Sequence, residues 1–133
     1  MQYINELRTH KRNEFLDITD EVRSLIVAKN VKSGVCHIFV PHTTAAVTIN
    51  ENIDSDVTAD MTACLNKNID TKCHYQHAGG NSPAHIKASI IGSSLTVFVE
   101  SGDLVLGTWQ GVYFCEFDGP RPRKYIVKII SDG

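Results

Sequence analysis

The chain has 133 residues, which is enough for one domain with a real core, and its hydrophobic fraction of 42% is ordinary for a globular protein. Its net charge of −2 argues against a nucleic-acid partner, and no apolar run reaches membrane-spanning length. We therefore expect a single domain over residues 1–133. Because the first residues lack an apolar core like that of a signal peptide and the four cysteines form no CxxC pair, we expect a cytoplasmic protein without membrane partners.

The first part of the chain mixes strand and helix patterns. Two strands are predicted at Gln2–Thr9 and Glu14–Ile18, joined by a polar hairpin turn at His10–Asn13. Thr19 or Asp20 can cap a helix that runs to about Asn30. Its apolar side is predicted to carry Val22, Leu25, Ile26 and Ala28. Two further strands follow, Val35–Val40 and Ala45–Asn50, with Pro41 between them.

Two more helices and four strands are predicted after residue 53. Asp54 or Ser55 caps a helix whose residues at helical spacing are Val57, Met61, Cys64, Leu65 and Asn68. The stretch through the 70s is polar and irregular. Ser82 as N-cap and Pro83 as first helical residue then start a short helix that Gly92 ends. The predicted strands after it are Leu95–Glu100, Leu104–Leu106, Gly111–Phe117 and Lys124–Ile130.

The predicted strand Gly111–Phe117 differs from the others because it is apolar on both faces. Such a strand is buried on both sides, by a second layer or by another subunit. Together with the mixture of helices and strands, it indicates an α+β fold.

Histidines mark two segments that can carry chemistry. His85 lies in the first turn of the predicted third helix, where the dipole and free N–H groups attract a phosphate or carboxylate. Lys87 follows on the same helix. His77 precedes it by way of two glycines and Asn81, and the glycines allow close approach of a ligand to the backbone. An ordinary turn is the competing interpretation of these glycines.

The second segment is PHTTAAVTINEN. Pro41 ends a strand and so displays His42, Thr43 and Thr44 at its edge, where an imidazole and two hydroxyls can cradle an oxyanion or phosphate. Asn50 and Glu51 come just before the next helix. Glu51 can act as a general base or metal ligand, or it can merely help to cap that helix.

A third segment joins an aromatic residue to two arginines. Trp109 and Gln110 are suited to a ligand wall. Arg121 and Arg123 stand between prolines, and arginine is the side chain best suited to bidentate binding of phosphate. The alternative is a pair of surface contacts, Asp118 with Arg121 and Glu116 with Arg123, worth about 0–1 kcal/mol each.

One short segment has residues that could bind a metal, namely Cys73-His74 followed by His77. A single such cluster without a second one is a weak indication of zinc.

The chain resembles the YjbQ family of small bacterial and archaeal proteins. The matching segments are PHTTAAVTINEN, HAGGNSPAHIKASIIG and GDLVLGTWQGVYFCEFDGPRPRKY, which together span most of residues 41–125. The resemblance implies a YjbQ-like α+β fold, with a β-sandwich-like core of mostly antiparallel strands and about three helices, and a homotrimer. In one position the chain departs from the expected pattern: Gly79 stands where family members are expected to carry Glu.

The resemblance also implies a secondary thiamine-phosphate synthase activity, regarded as a side activity. Such a transferase joins a hydroxymethylpyrimidine diphosphate to a thiazole phosphate and releases diphosphate. On this interpretation His42, His77, His85, Glu51 and Arg121 are catalytic. The phosphorylated small molecule is bound by Thr43, Thr44, Asn50, Asn81, Lys87, Trp109, Gln110 and Arg123.

Two alternatives use the same residues. In the first, His42, His77 and His85 hold a divalent metal, zinc or magnesium, in a hydrolase or phosphatase. In the second, the protein is a non-enzymatic module that binds a phosphorylated metabolite.

Overall fold

A computed structural model describes residues 1–69 and 72–133; positions 70 and 71, part of the stretch expected to be irregular, lie outside the described residues. The described part contains eight strands and three helices. In chain order they are β1 Gln2–Arg8, β2 Glu14–Asp17, α1 Thr19–Ala28, β3 Gly34–Phe39, β4 Ala45–Glu51, α2 Ser55–Asn68, α3 Ser82–Ile91, β5 Ser94–Glu100, β6 Asp103–Leu104, β7 Gln110–Glu116 and β8 Pro122–Ser131. Of the helices described, none combines the length and apolarity needed to cross a membrane.

The strands form two antiparallel sheets. The five-stranded sheet has the order β1-β8-β3-β5-β6, and the three-stranded sheet has the order β2-β7-β4. The predicted hairpin of β1 and β2 is therefore wrong. β1 pairs with β8 along its whole length, whereas β2 pairs with β7. Residues 10–13 carry the chain from one sheet to the other, so that consecutive strands lie in different layers.

β7 is buried on both faces, as its sequence predicts. Val112 and Phe114 point into the core between the two sheets, where the ring of Phe114 lies 6.3 Å from that of Tyr125 on β8. Tyr113 and Cys115 pack on the opposite face against Ala84 and Ala88 of α3. Burial of a valine or phenylalanine side chain stabilises the fold by about 1.5–3 kcal/mol. The second layer over β7 comes from the same chain, in the form of α3.

The helix boundaries differ from the sequence prediction in small ways. Asp54 caps α2 by accepting a hydrogen bond from the N–H of Asp56, as expected. The first helical residue of α3 is Ser82, and its N-cap is Asn81, so that helix begins one residue earlier than predicted. α1 buries Val22 and Ile26, but Ala28 is exposed because the helix ends there.

Two strand predictions are displaced for similarly local reasons. β6 is Asp103–Leu104 rather than Leu104–Leu106, because only its first two residues pair with β5. β8 begins at Pro122, before the predicted Lys124. Pro122 pairs with Arg8 at the end of β1. A proline is tolerated there because its missing N–H lies at the end of the hydrogen-bonded ladder and does not interrupt it.

Candidate functional site

His85 lies in the first turn of α3, as predicted, but this turn offers few free N–H groups. Pro83 has no N–H, and the N–H groups of Ala84 and His85 both donate to the carbonyl oxygen of Asn81, at 3.0 and 3.3 Å. The helix start therefore supplies its positive dipole rather than a row of free backbone donors. An anion bound here would have to be held mainly by side chains.

His42 and His85 face the same cleft. The cleft has a volume of about 350 Å³, and besides these two histidines its walls include Thr43 and Ser89. His42 is fixed in orientation because its Nε2 accepts a hydrogen bond of 3.0 Å from the backbone N–H of Lys124. Burial, followed by the charge of Arg123, lowers the pKa of His42 below its ordinary value. Neutral His42 thus carries its proton on Nδ1.

His77 and His85 are in direct contact. Their ring centroids are 5.3 Å apart, and the rings meet edge to face. They also line a second cleft of about 360 Å³, together with Tyr75, Ser82 and Ile86. Because His85 belongs to both clefts, it stands between His42 on one side and His77 on the other. The structure therefore brings the three predicted histidines into one region.

Gly79 makes room for the His77 ring. A Cβ atom at Gly79 would lie 2.7 Å from His77 Nε2 and 3.1 Å from Asn81 Oδ1. Distances this short require the imidazole to move. In this chain a glutamate at position 79 would thus displace His77 from its present place, so the glycine and the contact between His77 and His85 belong together.

Arg121 is held next to α3 by Asp118. Arg121 Nε donates to the carbonyl oxygen of Asp118 at 2.8 Å, and its NH2 group donates to Asp118 Oδ2 at 3.1 Å. The same Oδ2 accepts a 2.9 Å hydrogen bond from Asn81, the N-cap of α3. Arg12 NH1 lies 3.6 Å from the other oxygen of Asp118. Two guanidinium groups thus share one carboxylate, which leaves a positive charge near the start of α3.

Arg123 has a different environment from Arg121. It is 5% exposed, and it forms a two-point pair with Glu116, which is fully buried. Its NH2 group also donates to Thr44 Oγ1 at 2.8 Å. Burial raises the pKa of Glu116, but hydrogen bonds from Arg123, the Asp118 N–H and Thr9 outweigh that effect and lower it. The donors of Arg123 are therefore used within the protein. Its hydrogen bond to Thr44 fixes the loop that carries His42.

Lys87 is also buried, at 2% exposure, and its Nζ donates to the side-chain oxygens of Asn13 and Asn66. Burial, and then the nearby charge of Arg12, lowers the pKa of Lys87. The ammonium group adds positive charge near Arg12, although its hydrogen bonds go to the side chains of the two asparagines.

The remaining predicted residues lie at the other end of the three-stranded sheet. Ala45 pairs with Glu116 at one end of the ladder between β4 and β7, and Glu51 pairs with Gln110 at the other. Six residue steps separate these ends, or about 20 Å. Within one chain the histidines are therefore remote from a group consisting of Asn50, Glu51, Trp109 and Gln110. Trp109 is 60% exposed there.

The metal hypothesis receives no support from the geometry. Among residues 1–69 and 72–133, no three His, Cys, Asp or Glu side chains come together in an arrangement that could hold a metal ion. His42, His77 and His85 do not form such a group, and their binding of zinc or magnesium stays a prediction.

Arg12 and Asp118 are functional candidates that the sequence did not reveal. Asp118 was expected at most as a surface partner of Arg121, and Arg12 stands in a polar turn with no motif around it. No local sequence pattern could have predicted this contact, because Arg12 and Asp118 lie at opposite ends of the chain.

Comparison with known proteins gives a consistent result. The family model described as "UPF0047 protein YjbQ-like" matches residues 4–132. A UPF0047 protein of Methanocaldococcus jannaschii is 47% identical over 99% of this chain and 96% of its own length. The UPF0047 protein YugU of Bacillus subtilis is 46% identical over 95% of this chain and 96% of its own length.

Solved structures agree with the sequence comparison. The crystal structure of an uncharacterized conserved protein of the YjbQ/UPF0047 family from Clostridium acetobutylicum has a TM-score of 0.93 and 50% identity, and it covers 98% of this chain and 99% of its own. A hypothetical protein from Aeropyrum pernix has a TM-score of 0.94 at 30% identity, with 99% of each chain covered. The expected α+β fold is confirmed.

Proposed function

We propose that this chain, which belongs to the YjbQ-like UPF0047 family, binds a phosphorylated small molecule at the start of α3. The observation that carries the proposal is the arrangement around Asp118. Arg12 and Arg121 share this carboxylate, and Asn81 links it to the positive end of the helix that bears His85. An excess of positive charge beside a helix dipole suits a phosphate group.

The exposure of the two arginines supports the same conclusion. The side chains of Arg12 and Arg121 are 68% and 48% exposed, so their remaining N–H donors are accessible to a ligand. Arg123 and Lys87 are buried and have protein partners. In the proposed site, Arg12, Arg121 and His85 contact the phosphate, and Arg123 positions the His42 loop.

The proposed reaction is the coupling of a pyrimidine diphosphate to a thiazole phosphate, as in thiamine-phosphate synthesis. A bond forms between the pyrimidine methylene carbon and the thiazole nitrogen, the bond from that carbon to the diphosphate oxygen breaks, and diphosphate leaves. Fixed positive groups stabilise the charge that develops on the departing oxygen. In this proposal Arg12 and Arg121 supply the positive charge, and the imidazole of His85 contacts the departing diphosphate.

A homotrimer is part of the proposal because the site is divided in a single chain. Trp109 can stack on a pyrimidine near His85 only if it comes from a neighbouring copy, since the two lie at opposite ends of β4 and β7. The five-stranded sheet also exposes large apolar side chains suited to contact with another copy, with Phe39, Phe98 and Ile130 being 44%, 61% and 50% exposed. The buried free thiols Cys36 and Cys115 are in keeping with a cytoplasmic setting.

The test is to supply both phosphorylated halves and follow thiamine phosphate and diphosphate by chromatography. Wild-type protein is expected to form both products in equal amounts, and His85→Ala and Arg121→Ala are expected to lose the activity. Pyrophosphate binding without turnover would favour the non-enzymatic binding module instead. Stoichiometric metal in protein purified without chelators would favour the metal-dependent hydrolase.

A further inference from the structure

A third and larger cleft lies away from the histidines, between the N-terminal strands and α1. Its volume is about 930 Å³, within the range of small-molecule sites. The cleft arises from the topology. β1 is an edge strand of one sheet and β2 is an edge strand of the other, so the two sheets part between them and α1 spans the gap. Nothing in the proposed phosphate chemistry uses this space.

The inner walls of the cleft are apolar. Leu7 on β1, Leu16 on β2 and Leu25 on α1 are half-buried and line it from three sides. Tyr125 forms part of the floor, and its hydroxyl accepts a 3.0 Å hydrogen bond from Asn5. Burial raises the pKa of Tyr125, which keeps the phenol neutral. A ligand with an apolar body would be desolvated against this surface.

The charged residues of the lining all have the same sign. Glu6, Asp17 and Glu21 line the cleft, and its lining includes no lysine, arginine or histidine. Asp17 is engaged by Thr19 and Asn52, and Glu6 stands opposite Lys124 in the ladder. Glu21 forms no hydrogen bond or ion pair with any residue that the structure describes. Glu21 also lies in the first turn of α1, on the side of the helix that borders the cleft.

We propose that this cleft binds a small organic cation, in which an ammonium group is joined to an apolar body. The body packs against Leu7, Leu16 and Leu25, and the ammonium group lies beside Glu21. Charge complementarity decides the class of ligand. An anion would meet three carboxylates, and a neutral molecule would gain no attraction from the Glu21 charge.

The experiment compares 2-phenylethylammonium with 2-phenylethanol, which has the same apolar body without the charge. Binding is followed by methyl and aromatic NMR shifts of the cleft residues in the intact protein. The ammonium is expected to bind about fivefold more tightly than the alcohol, as for one partly exposed ion pair. Glu21→Gln should remove this difference, and the matched control Asp60→Asn on α2 should keep it.

A second pair of variants tests the location independently of charge. Ser24 is exposed and lines the cleft, whereas Val27 is exposed on the same helix and does not line it. Ser24→Trp should abolish binding of both probes, and Val27→Trp should leave it unchanged. Equal binding of ammonium and alcohol, shifts outside the cleft, or no saturable binding because a second copy covers this surface would each overturn the proposal.

Discussion

The side-chain amide of Asn81 donates a 2.9 Å hydrogen bond to Asp118 Oδ2, and this bond connects the start of α3 to the turn after β7. The two residues belong to segments that are distant in sequence and carry different parts of the proposed site. Asn81 precedes His85, and Asp118 holds Arg12 and Arg121. The proposed function depends on this connection, because it places the arginines beside the helix.

Replacing Asn81 by aspartate should disrupt the connection with little change in shape. A second carboxylate would face Asp118 and cancel the excess positive charge. We expect pyrophosphate to bind at least about tenfold more weakly, from the loss of roughly 1.4 kcal/mol or more in charge-assisted contacts. Calorimetric titration measures the change, and Asn30→Asp in the exposed turn after α1 is the matched control. Unchanged affinity in Asn81→Asp would show that the phosphate binds elsewhere.

The two exposed arginines should both contribute to anion binding. Arg12→Ala and Arg121→Ala are each expected to weaken pyrophosphate binding by about ten- to a hundredfold, because each removes a charge-assisted contact worth roughly 1.5–3 kcal/mol. Arg23→Ala serves as the control, since Arg23 also contacts two carboxylates, those of Asp20 and Asp103. If Arg12→Ala binds as the wild type does, Arg12 has only a surface role.

The pair of Glu116 and Arg123 should matter for stability rather than for ligand contact. Glu116→Gln leaves a buried guanidinium without its counter-charge, which typically costs about 3–5 kcal/mol. For a chain of this size we expect the Tm to fall by roughly 10–20 °C. Calorimetric melting measures it, and Glu21→Gln, an exposed counterpart, should melt close to the wild type. A Tm within a few degrees of the wild type for Glu116→Gln would contradict the structural role.

The pKa of His42 gives a pH dependence of known sign. It is lower in the folded protein than its ordinary value of 6.5, so the unfolded chain binds the proton more readily. The contribution of His42 to stability is complete above pH 6.5 and is lost as the pH falls through the folded pKa. Urea unfolding between pH 7.5 and 5 should show a smaller pH slope for His42→Gln than for the wild type. An NMR titration midpoint of His42 above 6.5 would refute this assignment.

The proposed division of the site between two copies can be tested by complementation. His85→Ala and Trp109→Ala are each expected to be inactive alone. After unfolding and refolding together, mixed oligomers contain sites with an intact His85 from one copy and an intact Trp109 from another, and activity should return in part. Absence of recovery in oligomers shown by mass spectrometry to be mixed would place Trp109 outside the site.

Patterns local in sequence predicted most elements of the fold. The apolar residues on both faces of β7 predicted its burial, and Ser82 with Pro83 predicted α3. The hairpin of β1 and β2 was predicted wrongly, because a polar turn between two strands has the same appearance whether the strands pair or lie in separate sheets. Only the long-range pairing with β7 and β8 distinguishes the two cases.

The candidate site was predictable in its histidines but not in its charges. His77 and His85 were expected near each other because one short segment carries both. Arg121 and Arg123 looked alike in sequence, yet one is half exposed and the other is buried against Glu116. Packing decides whether such a side chain is buried, and the partners of Arg123 are Thr44, just before β4, and Glu116 on β7. Neither the role of Arg123 nor the contact of Arg12 with Asp118 could therefore be derived from a local sequence pattern.

The most direct test of the phosphate site is a titration of the intact ¹⁵N-labelled protein with inorganic pyrophosphate, followed by NMR. We predict that the largest shifts occur at the Nε–H groups of Arg12 and Arg121 and at the side-chain amide of Asn81, and that they saturate together. Saturating shifts confined to other regions, or no shifts at these three groups, would contradict the account.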